Sequence, residues 1–274
     1  MDNIKILEDS INAFDKYQMI NSKGKSKHAS FHTEVECYNE FGEMLWKDHN
    51  ELLLEGGLFT LAKISGLSTP ITIKSLNSDF GVQATETDNV GPRANDVICG
   101  FVIGISGCGD VFDTVKPVYY KDRRITTMVP FRQVEVANKN SIESVDDRKY
   151  YLKVTKNGYC EYYLKKFETQ GEIKAEYEDG TAVPANVSEN PTDQIINTYV
   201  QYTLKINKND VREWFKITQG NLKKCRVNTL ALVHGYMGDS DEYKGLRCFS
   251  NINFNNEPFD NETKELTVIY KIYI

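Results

Sequence analysis

The chain is short of the residues that usually announce chemistry. It has four histidines in 274 residues, His28, His32, His49 and His234, and none forms H-E-x-x-H or another paired metal spacing. The six cysteines, Cys37, Cys99, Cys108, Cys160, Cys225 and Cys248, include no C-x-x-C pair, so the zinc and thioredoxin-type signals are missing. They read as buried free thiols acting as small hydrophobes, and a Cys99–Cys108 bridge has only proximity in its favour. No apolar run reaches the roughly 18 residues of a membrane helix. Met1-Asp2-Asn3-Ile4-Lys5 opens the chain without a basic region and a long apolar core, so a cleaved signal peptide is not expected. Positive charge is the minority: 33 Lys and Arg stand against 39 Asp and Glu, a net charge of −6. That balance argues against a phosphate backbone as the main partner.

The segments nearest to a functional motif each miss it. Residues 100–110 are glycine-rich but hold no lysine for a phosphate-binding loop. Their spacing is wrong for a dinucleotide fingerprint. Gly104-Ile105-Ser106-Gly107-Cys108 places its second glycine one position early for a nucleophile elbow. The stretch reads as a strand leaving a sheet through a tight turn. Asp239-Ser240-Asp241-Glu242-Tyr243-Lys244-Gly245 looks like a calcium loop, but the glycine is one position late and the twelfth place lacks glutamate. A solvated acidic loop is the simpler reading. Lys121-Asp122-Arg123-Arg124, and Lys23, Lys25 and Lys27, are not interleaved with aromatics as in nucleic-acid modules. No catalytic residue, metal ligand or cofactor is selected, so the chain is expected to be no enzyme, with no membrane and no sequence-specific nucleic acid as partner.

What is abundant points to β structure. There are 16 Tyr and 13 Phe against 7 Pro, and aromatic and β-branched residues favour pleated surfaces. At 26% charged and 40% hydrophobic the composition is globular.

Residues 3–19 read as an amphipathic helix. Ile4, Leu7, Ile11 and Phe14 recur at steps of three and four, with Tyr17 next and Asp2 as N-cap. A polar, basic segment over 21–27 follows as a linker. The stripe has two destinations: its own domain, or a neighbouring subunit. Ile4, Leu7, Ile11 and Phe14 are therefore the candidate subunit interface.

From residue 28 onward strands dominate. Residues 29–47 alternate and turn back at 39–43. The run 51–65 suits a buried helix closed by Gly66, although Gly56-Gly57 weakens it. Residues 71–76 form a short strand and 77–96 a long loop. Residues 97–106 read as a central strand buried on both faces, and 115–120 and 124–136 as two more. Asn157-Gly158 marks a type I′ hairpin that pairs Val154 with Glu161 and Leu152 with Tyr163. A strand over 172–178 would extend it into a meander, followed by a loop over 179–195. After a strand over 199–206, Asp210 and Glu213 fit a capping box on a short helix. Strands over 227–234 and 246–254 follow. Residues 266–274 would be a strand paired inside a sheet. The expected fold is mainly β: a jelly-roll or Greek-key-like sandwich over 28–274, with the N-terminal helix and linker over 1–27 and one or two short helices.

Particular segments carry a resemblance. They are Trp46, residues 50–54, Gly56-Gly57-Leu58-Phe59, Leu61-Ala62-Lys63-Ile64, Phe249-Ser250-Asn251-Ile252-Asn253-Phe254 and the closing Val268-Ile269-Tyr270-Lys271-Ile272-Tyr273-Ile274. In style the chain resembles β-sandwich virion structural proteins of tailed bacteriophages, closest to those of crAss-like and other large podoviruses. The likeness spans most of the chain, and its motifs are not catalytic. It implies a neck or tail ring component, located in the virion and in the host cytoplasm during assembly. Its partners would be further copies of itself and portal, neck or tail proteins. Two other readings stay open. One is a capsid-decorating or glycan-binding sandwich using Tyr119, Tyr120 or Tyr243 as stacking platforms. The other is a jelly-roll hydrolase, which needs paired carboxylates ~5–9 Å apart that the sequence does not single out.

Overall fold

The structure, a computed structural model, describes residues 18–20, 26–28, 32–67, 69–75, 84–90, 95–109, 114–120, 125, 127–144, 147–177, 179–185, 195–238 and 241–273. Among these the first strands are β1 (Gln18–Ile20), β2 (Ser26–His28), β3 (His32–Tyr38), β4 (Met44–His49), β5 (Glu51–Leu52), β6 (Thr69–Ser75), β7 (Ala84–Val90) and β8 (Asp96–Gly104). Then come β9 (Met128–Val129), β10 (Arg132–Glu135), β11 (Tyr150–Lys156), β12 (Tyr159–Lys165), β13 (Glu172–Tyr177) and β14 (Ala182–Pro184). The last are β15 (Ile195–Ile206), β16 (Arg226–Met237), β17 (Tyr243–Pro258) and β18 (Leu266–Tyr273). Three α-helices interrupt them: α1 (Leu54–Ser65), α2 (Asn140–Glu143) and α3 (Arg212–Thr218).

The fold is mainly β, two antiparallel sheets packed as a sandwich. Sheet one runs β10-β12-β8-β16-β17-β5, with β11 also on β12 and β9 on β8. Sheet two runs β14-β13-β15-β18-β3-β4. Their facing sides make the main core. Phe101, Ile103, Leu230, Leu232, Ile252 and Phe254 come from sheet one, and Val35, Cys37, Leu204, Val268, Tyr270 and Ile272 from sheet two. A second core lies on the opposite face of sheet one, where Cys99, Val102, Ala231, Val233, Leu246 and Cys248 meet Leu53, Ile125, Tyr151 and Leu164. Sheet one is thus covered on both faces, which is why β8 and β16 read as continuous apolar runs rather than alternating ones. The outward face of sheet two is ionic. Lys47 reaches Glu34 at 2.9 Å and Glu36 at 3.2 Å, and Lys271 reaches Glu36 at 3.0 Å.

Several local readings match. The Asn157-Gly158 turn joins β11 to β12 with Val154 opposite Glu161, both turn residues at positive φ. Gly66 ends α1 at φ 70°, its N–H on Ala62 O. The strand β18 lies between β15 and β3, with Leu266, Val268, Tyr270 and Ile272 buried. All six cysteines are free and buried, Cys99 and Cys108 included.

Other readings are corrected. The expected meander does not form: β13 leaves β12 and pairs with β14 and β15 in the other sheet. Alternation says which face a residue takes and nothing about which sheet receives the strand. Residues 84–90, read as loop, form β7 and pair with β6, and Ala182–Pro184 within the second expected loop forms β14. Residues 115–120 make only a single bridge, Cys108 to Val115. Of the N-terminal helix and linker, residues 18–20 and 26–28 instead form the two-stranded β1–β2 pair. Residues 1–17 lie outside the described residues.

Candidate functional site

Helix α1 sits hard against β17, and its glycines explain how. Leu53 N donates to Phe249 O at 3.0 Å and Leu54 N to Tyr120 O at 2.9 Å. A Cβ on Gly56 would lie 2.0 Å from Phe249 O, and one on Gly57 2.8 Å from the Tyr120 hydroxyl. Only a residue without a side chain lets the helix approach that closely. The buried side of α1 carries Phe59, tilted against His234 with ring centroids 4.4 Å apart and edge-on to Phe249. The opposite side is apolar as well. Leu54 and Leu58 are half-buried, Leu61 is 63% and Ile64 75% exposed, and Leu67 beyond the cap is 70% exposed.

Beneath Phe59 three neighbouring strands contribute one charged cluster. Asp96 of β8, His234 of β16 and Arg247 of β17 are all buried. Asp96 takes His234 Nδ1 at 3.2 Å and Arg247 Nη2 at 2.9 Å. Burial pushes the His234 pKa down, against the pull of Asp96. The ring is therefore neutral at pH 7, and the Asp96 carboxylate bridges it to the Arg247 guanidinium, one oxygen on each.

A second cluster lies where β12 passes the turn before α3. Lys165 Nζ donates to Asp210 Oδ2 and to Lys205 O, both at 2.7 Å. The Tyr150 hydroxyl donates to Asp210 Oδ1 at 2.8 Å, and Asn207 N donates to Oδ2. The expected capping box is replaced by this arrangement. Val211 is the N-cap and makes no side-chain cap, at φ 67°, a strained value for a β-branched residue. Glu213 instead clamps the Arg132 guanidinium at 2.9 and 3.0 Å and accepts from Gln133 N. Both clusters lie in the protein interior and neither presents a nucleophile to solvent. The Lys165–Asp210 network is closed, whereas His234 Nε2 and Arg247 Nη1 are buried without a hydrogen-bond partner among the described residues. Among the described residues no group of three or more His, Cys, Asp and Glu is placed to hold a metal ion.

The open surface offers two further features. The β3–β4 hairpin carries Phe41 at 79%, Met44 at 54% and Leu45 at 39% exposure, and β4 is the last strand of sheet two. Separately, a shallow cleft of ≈ 650 Å³ is lined by Gln133, Glu135, Asn138, Asn140, Tyr159 and Ile217 among others. Tyr119 and Tyr120 are about half exposed, whereas Tyr243 packs edge-on to Tyr151 at 4.9 Å.

The sequence-selected residues Ile4, Leu7, Ile11 and Phe14 lie outside the described residues. The exposed half of α1 escaped sequence reading because Leu54, Leu58, Leu61 and Ile64 belong to an apolar-rich run that reads as a buried helix. The hairpin residue Phe41 stood inside a plain turn signal. No protein-family model matches the chain, and no curated protein and no solved structure shows a significant match to it.

Proposed function

We propose that the chain is a non-enzymatic structural component of a bacteriophage virion, a neck or tail ring subunit. In this reading it acts by self-assembly and by contacts with portal, neck or tail proteins. The observation that carries the assembly part is the edge of sheet two, where β4 has no further strand beside it among the described residues. An unpaired edge strand is a template for another chain, and natural proteins blunt edges with proline, charge or short length. The far edge, β14, is three residues long and ends on Pro184. The near edge, β4, is exposed along most of its six residues. Its second half is protected by Lys47, Asp48 and His49, while its first half and the preceding turn present Phe41, Met44 and Leu45. An apolar edge meeting a different surface on the next copy is a heterologous contact, the kind that closes into rings. The virion assignment itself rests on the sequence resemblance.

Native mass spectrometry of the purified chain, with negative-stain images of the same sample, tests this. A closed ring of many copies is the expected result. A strict monomer that also fails to add to particle extracts overturns it.

A capsid-decorating or glycan-binding role is the second reading, and the cleft beside Tyr159 favours it. Amides, one carboxylate and an aromatic ring line it without lysine or arginine, a set that suits neutral hydroxyl-rich ligands better than phosphates. Titration with host-surface polysaccharide should then broaden signals from Asn138, Asn140 and Tyr159. No change at millimolar concentration removes it.

A further inference from the structure

We infer that Lys165 and Asp210 join covalently, through an isopeptide bond between Lys165 Nζ and Asp210 Cγ, and that their ion pair is the reactant state of this bond. The inference stands apart from the ring reading, which draws on β4.

The first observation is contact in a dry place. Nζ lies 2.7 Å from Oδ2, and both side chains are fully buried. An amine and a carboxylic acid do not condense in dilute water. Two groups fixed against each other reach effective concentrations of about 10⁵–10⁸ M when well oriented, and here bulk water is excluded.

The second is what holds the carboxyl group. The Tyr150 hydroxyl donates to Oδ1 and Asn207 N to Oδ2, both at 2.8 Å. Burial, with Asp210 alongside, raises the Tyr150 pKa, so the hydroxyl stays a donor. It is placed where negative charge collects when a nucleophile adds to Cγ. The backbone fixes the residue as well: Asp210 N donates to Asn207 O at 2.8 Å, and Arg212 N to Asp210 O at 2.7 Å.

The third is the surroundings of the nitrogen. An ammonium has three hydrogens to place. Among the described residues Nζ has two oxygen acceptors, Asp210 Oδ2 and Lys205 O, each at 2.7 Å. The rings of Phe131 and Tyr150 lie alongside, with centroids 6.0 and 5.7 Å away. An amide nitrogen has one hydrogen, which Lys205 O can accept, and its carbonyl oxygen keeps the Tyr150 hydroxyl. The site suits the product at least as well as the pair, and the product removes two charges that are costly to bury.

The step balances without an oxidant or co-reactant. A proton passes from Nζ to Oδ2 along their hydrogen bond, leaving an amine and a carboxylic acid. The amine lone pair adds to Cγ, and an electron pair moves onto Oδ1, which faces Tyr150. A second proton moves from nitrogen to Oδ2, the Cγ–Oδ2 bond breaks, and one water leaves. The bond ties β12 of sheet one to the segment that leaves β15 of sheet two, a clamp across the sandwich.

Mass spectrometry of the denatured full chain tests this. The protein should be lighter than its sequence by one water. Its tryptic digest should contain a branched peptide that joins Lys165 to Asp210, with no cleavage after Lys165. Lys165→Arg keeps a cation beside Asp210 without an acylatable amine, and should show the full mass. Tyr150→Phe, followed after refolding of unlinked chain, should form the bond about 100-fold more slowly. A parent chain that keeps its full mass after days in the folded state overturns the inference. So does a water loss that maps to other residues. The parent chain alone decides the matter, so a variant that fails to fold leaves the test standing. Native mass spectrometry of the same sample reports on the ring reading independently.

Discussion

Lys165 Nζ stands 2.7 Å from Asp210 Oδ2, and neither side chain is exposed to solvent. This pair joins sheet one to the turn that starts α3, and every polar atom of Asp210 has a partner. Taking two charges out of water is costly, and the attraction between them offsets that only while both are present. Asp210→Ala should therefore destabilise the chain by about 3–5 kcal/mol, by stranding a buried ammonium. Tyr150→Phe, which removes one hydrogen bond to the same carboxylate, should lose about 1–2 kcal/mol. Urea unfolding curves of the two variants should keep that order.

The approach of α1 to β17 yields a sharper contrast within one dipeptide. At Gly56 an added methyl meets a backbone carbonyl at 2.0 Å, and at Gly57 the free end of a tyrosine at 2.8 Å. Backbone cannot move aside, whereas Tyr120 is half exposed and can. Gly56→Ala should destabilise by about 1–3 kcal/mol. Gly57→Ala should be nearly neutral, since alanine also favours helix. Equal effects on the thermal midpoint would contradict the packing described.

The neutral state of His234 gives the fold a pH dependence of known sign. Its pKa is lowered by burial, with Arg247 and Lys63 adding to the effect and Asp96 opposing it; Phe59 and Phe249 cover the ring. Below about pH 6.5 the unfolded chain binds a proton that the folded chain refuses. Stability is therefore complete above pH 6.5 and declines as pH falls towards the folded pKa, by up to about 1.4 kcal/mol per unit. Denaturant midpoints for the parent and for His234→Gln should diverge between pH 7.5 and 5.5, the variant being flatter. Parallel curves would show that His234 carries no such linkage.

The thiols should be inert until the protein opens. Burial pushes the pKa of Cys37, Cys225 and Cys248 up to about 12, and the thiolate is the reactive form. A colorimetric thiol reagent should titrate close to none of the six in native buffer and all six in guanidinium. Rapid native reaction of several cysteines would contradict their burial.

The edge of sheet two is open to direct test. Met44→Lys with Leu45→Lys places two charges on an exposed strand, where substitution is worth little to the subunit itself. Assembly should shift to monomers while the unfolding midpoint stays within about 0.5 kcal/mol of the parent. Rings that persist would move the contact away from β4.

Much of this fold was legible where one residue type dictates one backbone geometry. Asn157-Gly158 gave the hairpin and its register, and Gly66 gave the end of α1. An apolar run identified β8 as a central strand, and the shared apolar face of Leu266, Val268, Tyr270 and Ile272 placed β18 inside a sheet. Less was legible wherever the outcome depends on a distant partner. Glu172 to Tyr177 alternates equally well in either sheet, and β15 decides the matter. Asp210 and Glu213 have ideal capping spacing, yet Lys165 and Arg132, 45 and 81 residues away, claim both carboxylates. Gly56 and Gly57 looked like flaws in a helix until the carbonyl of Phe249 was placed beside them. On the site, the pattern singled out the N-terminal stripe as a subunit surface, with Tyr119, Tyr120 and Tyr243 as stacking candidates. The β4 edge and the outer row of α1 emerge only once a strand has no further neighbour and a helix has only one side covered.

The pairing of β3 with β18 bears on how the protein comes to exist at all. Lys271 and Glu36 are in contact across 235 residues, and closing a loop of that length costs on the order of 5 kcal/mol of chain entropy before any contact rewards it. Sheet two is therefore a slow, late product of folding, whereas the local β11–β12 hairpin is available early. Until β18 arrives between β15 and β3, both of those strands present bare edges. The interval between synthesis and closure is the period in which copies of this protein are most exposed to pairing with one another in the wrong register.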